Sequence, residues 1–280
     1  MKSKLTDQQR VDIVHEYKNS NIKCVELARR YNISRPSICY LLKTRGVKIR
    51  NDHSVLQRKH SLNQEYFKKI DSEDKAYFLG LMYADGYNDE KNHRLVISLQ
   101  ERDGDILETF RAKIEYGGKL GFIPANNKTY MRQNQYSLSI RSHEISKDLK
   151  NLGCWQKKSL TLKFPTEKQV PSHLVHHFLR GYWDGDGCIE KGCFRTEIVS
   201  TKDFCSSVRS LIDTILDIQT ISKRANKYSK NEITYRLRSR NKLDTIKILD
   251  WLYKDASIFL KRKHNIYLKV DRELCENRYY

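Results

Sequence analysis

The chain lacks the features that mark secreted, membrane-spanning and zinc-binding proteins. No apolar run approaches the length of a membrane span, and residues 1–5 lead into polar sequence rather than into a secretion signal. Seven cysteines are scattered over 280 residues without a CxxC pair, which argues against a disulfide framework or a zinc ribbon. We therefore expect an intracellular protein that is not secreted, in the cytoplasm of a bacterial or phage-infected cell or in an organelle.

Acidic residues are scarce relative to basic ones. The chain has 53 Lys and Arg against 34 Asp and Glu, a formal net charge of +19 at pH 7. This excess favours a polyanionic partner, and nucleic acid fits better than a membrane surface. The first 50 residues alone carry 12 basic and 4 acidic side chains, so they form a separately charged module.

The amino-terminal module has the pattern of three short helices. Thr6 and Gln9 have the spacing of a capping box and open the first helix. A second helix at about residues 25–31 is followed by a short turn, and Ser34 is placed to cap a third helix at residues 35–44. The module is either a three-helix protein-interaction domain or a helix-turn-helix, whose last helix enters the major groove of DNA. The exposed face of that helix would present Arg35, Ser37, Tyr40 and Lys43.

A nine-residue pattern occurs twice in the rest of the chain. Residues 78–86 read FLGLMYADG, and residues 179–187, 101 positions later, read LRGYWDGDG. Each copy is an apolar helix with small residues four positions apart, so two such helices can pack with their backbones close together. Asp85 and Asp186 then lie side by side at the helix ends. Paired carboxylates of this kind attract a hard divalent cation such as Mg²⁺.

The repeat extends beyond these helices. The strand-like runs 95–103 and 196–203 each end at an aspartate that can cap the following helix. The run 136–141 has its counterpart at 235–240, and a helix follows each. Each half is therefore expected to contain a helix, strands, a helix, strands and a helix, in an α+β fold.

These patterns divide the chain into four segments. Residues 1–47 are the helical module, and residues 48–73, which are polar, basic and without periodicity, are expected to form a linker. Residues 74–170 and 171–280 are the two halves of the core.

Alternation in the last strand of each half predicts an apolar face and a polar face. Successive strand residues point to opposite sides of a sheet, so Leu138 and Ile140 should face the core. A sheet that is basic in front suits contact with a duplex, although a charge run alone usually marks only a solvated face. The residues predicted to contact DNA are Arg132, Gln133, Gln135, Ser137, Ser139 and Arg141 in the first half and Lys223, Arg224, Lys227, Arg236, Arg238 and Arg240 in the second.

With these motifs the chain resembles the LAGLIDADG homing endonucleases that carry both motifs on one polypeptide. The likeness covers about residues 72–268 and excludes the helix-turn-helix. It implies two pseudo-symmetric αββαββα halves whose sheets form a saddle over DNA. It further implies a monomer, active in intron homing, that makes a staggered cut in a long, pseudo-symmetric double-stranded DNA target.

The resemblance also assigns roles around the two aspartates. It implies metal-assisted hydrolysis of the phosphodiester bond, with one strand cut per acid. The implied cofactor is Mg²⁺, for which Ca²⁺ or Mn²⁺ can substitute. The metal-binding residues that follow are Asp85, Asp186, Gly86 and Gly187.

A basic catalytic residue near each site is a further implication. In the first half it is Lys158, with Lys157 as the alternative. In the second half it is Lys263, with Lys261 as the alternative.

Three other polar residues lie near the two motifs. Gln100 and Ser200 end matching strands, where they either orient metal-bound water or are ordinary polar residues of a sheet edge. Asp184 is expected to cap or pack rather than to act in catalysis.

Two other functions stay open at this point. An RNA maturase of the same family would use the same fold and basic surface to bind intron RNA. A transcription regulator would use the helix-turn-helix beside an inert core, and for that function two metal-ready acids are not needed.

Overall fold

The computed structural model describes residues 5–20, 22–49, 60–126, 133–224 and 234–269. The chain divides into two compact units, Met1–Lys59 and His60–Tyr280. No helix in the described ranges has the length and apolarity that crossing a membrane requires.

The amino-terminal unit is a small helical domain. Its helices are α1 (Asp7–Asn19), α2 (Cys24–Arg30) and α3 (Arg35–Thr44). They pack around Ile13, Leu27, Ile38 and Leu42, which are fully buried. The three predicted helices are confirmed.

The predicted caps of α1 and α3 are also confirmed. Gln9 N donates to Thr6 Oγ1 at 3.2 Å and Thr6 N donates to Gln9 Oε1 at 2.9 Å, which completes a capping box. Ser37 N donates to Ser34 Oγ at 3.3 Å. These bonds satisfy backbone donors that have no partner within the helix, so each helix starts where its sequence predicts.

The second unit contains two halves with the same order of elements. The first half comprises α4 (Glu73–Ala84), β1 (Gly86–Asp89), β2 (Arg94–Gln100), α5 (Gly104–Lys113), β3 (Gly121–Ile123), β4 (Gln135–Arg141) and α6 (His143–Asn151). The second comprises α7 (Val175–Asp186), β5 (Cys188–Ile189), β6 (Thr196–Ser200), α8 (Lys202–Leu216), β7 (Ile221–Arg224), β8 (Tyr235–Arg238) and α9 (Lys242–Tyr253), and α10 (Lys261–Leu268) follows.

Each half builds one antiparallel sheet, in the matching orders β1-β2-β4-β3 and β5-β6-β8-β7. On β4, Leu138 and Ile140 are buried while Ser137 and Ser139 are only partly buried. On β8, Leu237 is buried between two partly exposed arginines. The α+β fold with two αββαββα halves is therefore as predicted, and so is the alternation of apolar and polar faces.

The helices α4 and α7 pack against each other with almost no space between their backbones. A Cβ atom built on Gly80 would overlap the carbonyl oxygen of Phe178, and one built on Gly181 would overlap that of Tyr77. The two glycines thus play the same part in a reciprocal contact. This backbone contact, which we call the helix seam, joins the two halves.

A buried ion pair also joins the halves. Arg180 is 1% exposed, and its Nη2 donates to Glu73 Oε1 at 2.5 Å. Its Nε and Nη1 donate to the carbonyl oxygens of Ile258 and Leu252, both at 2.9 Å. Glu73 Oε1 accepts a further bond from Ser257 N at 2.7 Å. The chain after α9 is thereby held against the start of α4.

Part of the predicted linker instead packs into the core. Tyr66, Phe67 and Ile70 are buried, and the Phe67 ring meets Phe110 edge-on with the centroids 6.0 Å apart. The linker prediction was wrong for this part. It was based on the many charged residues of the segment and gave too little weight to the few apolar side chains among them. Residues 50–59 of the predicted linker lie outside the described residues.

The two predicted aspartate caps do not form. The Asp103 carboxylate makes no side-chain bond to α5, and Arg262 Nε donates to its two oxygens at 3.1 and 3.0 Å. In the second half Thr201 takes the capping position, and Phe204 N donates to Thr201 Oγ1 at 3.2 Å. A long-range ion pair therefore replaces the local cap of Asp103.

Substitution of either seam glycine should strongly destabilise the protein. Because the colliding atoms belong to the facing backbone, Gly80→Ala or Gly181→Ala should lower the free energy of unfolding by about 3 kcal/mol or more, measured by urea denaturation. Gly121→Ala is the matched control, since its added Cβ would lie 3.7 Å from Ser137 O, an ordinary contact, and should cost less than about 1 kcal/mol. Equal effects of the three variants would contradict this account of the seam.

Candidate functional site

The helix seam places two aspartates at neighbouring helix ends. Asp85 is the C-cap residue of α4, and Asp186 is the last residue of α7. A Cβ atom built on Gly185 would lie 2.8 Å from Asp85 Oδ2, so Asp85 contacts the residue next to Asp186. Both aspartate side chains remain open to solvent. The site is therefore a shared one, with one carboxylate from each half.

The two carboxylates influence each other electrostatically. Desolvation at the packed helix ends and the neighbouring Asp186 charge raise the pKa of Asp85 to about 6. Desolvation also raises the pKa of Asp186. Binding of a proton to one carboxylate reduces the repulsion between the two groups. A cation bound between them would have the same effect while both carboxylates stay ionised.

The available donor atoms fit a hard divalent cation. Within the described ranges no group of three or more His, Cys, Asp and Glu side chains could hold a metal ion. Two carboxylates nevertheless suffice for Mg²⁺, which commonly takes one or two from the protein and its other ligands from water and phosphate. Asp85 and Asp186 are the residues that could hold it.

Buried lysines reach the two Asp-Gly turns. Lys158 Nζ donates to the carbonyl oxygen of Gly86. Lys263 Nζ donates to the carbonyl oxygens of Gly187, Trp183 and Asp184, at 2.5, 2.6 and 2.8 Å. Each lysine therefore closes the turn that follows the aspartate of its own half, and burial lowers the pKa of Lys263 to about 8.

These bonds distinguish the two predicted lysines from their alternatives, and they involve both glycines of the predicted metal-binding set. Lys157 and Lys261 are exposed, and Lys261 Nζ lies 2.7 Å from Asp105 Oδ2. The carbonyl oxygens of Gly86 and Gly187 already accept from ammonium groups. A divalent cation on the same oxygens would be repelled by those charges, so the carboxylates remain the better ligands.

Asp184 lies inside the protein and not at the site. It is buried, and its Oδ2 accepts from Tyr77 OH and from Leu260 N, both at 2.8 Å. Burial raises its pKa to about 6. Leu260 is the N-cap residue of α10, so Asp184 caps that helix and binds the other half through Tyr77, in agreement with the expected packing role.

The predicted water-orienting residues differ from each other. Gln100 Oε1 is buried and has no hydrogen-bond partner in the described part of the chain, so it can accept a bond from water. Ser200 is buried, and its Oγ accepts from Tyr182 OH at 2.9 Å. The Ser200 hydroxyl is therefore bonded to Tyr182.

Tyr182 is a site residue that sequence reasoning missed. Its hydroxyl donates to Ser200 Oγ at 2.9 Å, and it opposes the rise in pKa that desolvation causes at Asp186. The available signal was its place four residues before Asp186, on the same helix face. The corresponding residue of the first half is Leu81, which offers no such bond, so the two carboxylates have different surroundings.

The outer face of the first sheet is polar, and its two arginines, Arg94 and Arg141, are paired at one end of β2 and β4. Ser98 Oγ donates to Ser137 Oγ at 2.9 Å, and Arg94 Nε donates to Ser139 Oγ at 2.8 Å. Gln135 pairs with Gln100 in the register of β2 and β4. Gln133, two residues before β4, and Arg141, the last residue of β4, are exposed.

The outer face of the second sheet is charged. Arg236 and Arg238 lie on this face with Glu197, and Lys223 is exposed opposite Arg236 on β7. Arg240 follows the end of β8, and its Nη1 donates to Gln219 Oε1 at 3.2 Å. Arg132, Lys227 and the side chain of Arg224 lie outside the described residues.

In the amino-terminal unit the predicted contact residues share one side of α3. Ile38 and Leu42 are buried on the other side of the helix. The exposed residues are Arg35, Ser37, Tyr40 and Lys43.

Removal of the Lys263 ammonium group should destabilise the second half. Lys263→Met leaves three carbonyl oxygens without their donor and should lower the free energy of unfolding by roughly 2–3 kcal/mol, measured by urea denaturation. Lys261→Met is the control on the same helix, because its side chain is 74% exposed and its surface ion pair is worth less than about 1 kcal/mol. If both variants lost the same stability, Lys263 would not be the group that closes the turn.

Comparisons with known proteins support the fold. No family model matches the chain. An uncharacterized protein of Methanocaldococcus jannaschii is 27% identical over 172 residues, which are 58% of this chain and 60% of that protein. The chain thus spans less than two thirds of the length of this curated relative.

Two solved structures of similar fold are a homing endonuclease and the protein WhiA. The homing endonuclease I-WcaI, bound to its DNA recognition sequence, is 12% identical and has a TM-score of 0.50, with 79% of this chain and 99% of that chain covered. Full-length WhiA from Thermotoga maritima is 14% identical with a TM-score of 0.47, and 78% of this chain and 66% of that chain are covered. The α+β core of this protein thus has the fold of a LAGLIDADG homing endonuclease.

Proposed function

We propose that the protein is a site-specific endonuclease that cuts double-stranded DNA in a reaction that depends on a divalent metal ion. The main support is the pair of carboxylates at the seam, each at the end of a repeated helix whose following turn is closed by a buried lysine. A DNA-binding regulator has no need of two acids held together against their repulsion. The net charge of +19 supports a nucleic-acid partner for either function.

Asp85 and Asp186 would hold the metal ion. When bound, a divalent ion lowers the pKa of an attacking water and stabilises negative charge on the scissile phosphate. The protein's own groups prepare this site. Tyr182 opposes the rise in the pKa of Asp186 that desolvation causes, and Gln100 Oε1 is an acceptor that can orient a water molecule.

Lys158 and Lys263 act as positioning residues in this scheme. Their ammonium groups close the turns after the acids and are buried there. Their charges also lower the pKa values of both aspartates, which opposes the effect of desolvation. The carboxylates are thereby kept available to a cation near neutral pH.

We infer that the amino-terminal unit makes a second contact with DNA. The third helix of a helix-turn-helix presents exposed basic and polar side chains to the major groove, and α3 has four such residues on one side. This unit would add affinity to the contact made by the sheets.

Substitution of either aspartate should prevent double-strand cleavage without preventing binding. Duplexes are first selected from a randomised library with the full-length protein and Ca²⁺, and the selected DNA is then incubated with Mg²⁺ or EDTA. Wild-type protein should cut both strands with Mg²⁺ only. Asp85→Asn and Asp186→Asn should bind within about threefold of wild type and lose at least 100-fold in double-strand cleavage, because each removes one ligand of the shared ion.

Asp89→Asn provides the control for this experiment. Asp89 is a nearby carboxylate whose oxygens bind Asn92 in a hairpin turn, so its loss should leave cleavage intact. Tight binding of the selected DNA without any cut by wild-type protein would favour the regulator. Preference for structured RNA over every duplex would favour a maturase.

Loss of the basic residues of α3 should weaken DNA binding in a salt-dependent way. Arg35→Ala with Lys43→Ala should reduce the slope of log K against log salt concentration by about 2, because two phosphate contacts are lost. Lys18→Ala with Arg29→Ala removes the same charge from α1 and α2 and serves as the control. Equal effects of the two double variants, measured by fluorescence anisotropy, would show that only net charge matters and that α3 is not the contact.

A further inference from the structure

The carboxylate of Glu197 lies within the basic face of the second sheet. Glu197 on β6 is directly opposite Arg238 on β8. Its Oε1 is 3.5 Å from Arg236 Nε, and its Oε2 is 3.9 Å from Arg238 Nε. We refer to these three residues as the Arg-Glu-Arg trio. All three side chains are partly exposed, at 24%, 35% and 22% for Glu197, Arg236 and Arg238.

The first sheet has no such charges at the corresponding positions. In its register Val96 is opposite Ser139, as Glu197 is opposite Arg238 in the second sheet. Ser137 corresponds to Arg236 in the same way. The two outer faces thus differ in charge at these three positions although their strand orders are identical.

An acid in this place weakens the attraction of the face for phosphate. A favourable effect of Glu197 on DNA binding would therefore act through the two arginines. Both guanidinium groups approach Glu197 through Nε. The two terminal nitrogens of each make no hydrogen bond to a described residue, and they are the pair that a bidentate contact uses. Glu197 therefore attracts the two guanidinium groups electrostatically, without a hydrogen bond to either Nε, while their outer edges stay available.

Resting on the proposed function, we propose that the Arg-Glu-Arg trio reads guanine bases in one half of the DNA target. Arginine binds guanine N7 and O6 in the major groove through two parallel hydrogen bonds. The arginines are two residues apart on one strand face, which is about 6.6 Å, or roughly two base-pair rises of 3.4 Å. The trio should accordingly select two guanines separated by one base pair, and only in the half of the target that contacts the second sheet.

The test is a selection of duplexes from a randomised library by the full-length protein in Ca²⁺, with wild type and Glu197→Gln compared. Wild type should select a site with the two guanines in one half only. A guanine-to-adenine change at either position should weaken wild-type binding by about tenfold or more. For Glu197→Gln the same changes should matter less than about threefold, while binding to unrelated DNA stays equal or becomes tighter because a negative charge is removed.

Glu190→Gln is the matched control, since Glu190 is an exposed acid of the same half outside the trio, and it should keep the guanine preference. Thermal melting of both variants checks that they are folded. A wild-type site without the guanine pair would overturn the reading by the trio and leave the endonuclease intact, whereas failure to select any duplex would overturn the proposed function itself. Unchanged guanine discrimination in Glu197→Gln would overturn the role of Glu197. So would a loss of preference at a selected cytosine alone, because Glu197 would then contact that base itself.

Discussion

The backbone contact between α4 and α7 is the constraint on which the rest of the structure depends. Gly80 and Gly181 each face a carbonyl oxygen of the opposite helix, so no side chain separates the two helices. This contact brings both Asp-Gly turns to the same place and creates a site that neither half has alone. The repulsion between Asp85 and Asp186 is a cost of that closeness, and the folded core supplies the free energy that offsets it.

The buried lysines connect this packing to the electrostatics of the site. An ammonium group in the interior loses its hydration, and the carbonyl oxygens at the end of α7 replace the lost water around Lys263. The negative end of the helix macrodipole favours a cation at the same place. Lys158 and Lys263 therefore stabilise the turns and at the same time make the electrostatic potential around the two neighbouring acids more positive.

Much of the fold could be predicted because its signals are local or repeated. Helix caps such as Thr6, the alternation around Leu138 and the doubled motif all lie within short stretches of sequence. Other features depend on register and distant partners. Glu197 meets Arg236 and Arg238 only because β6 pairs with β8. Asp103 does not cap α5, because its carboxylate accepts from Arg262, which lies 159 residues away in the sequence. Tyr182 could be placed on the right helix face, but its contact with Ser200 needed the folded sheet.

The Arg180–Glu73 pair has no counterpart related by the repeat, since the corresponding positions hold Leu79 and Leu174. The two halves are therefore no longer interchangeable modules. A first half joined to a copy of itself would leave Glu73 without its cation. A doubled second half would enclose Arg180 without its anion, at about 3–5 kcal/mol for this buried charge. Halves of related proteins can thus be recombined only where the first half supplies the acid and the second half supplies the arginine.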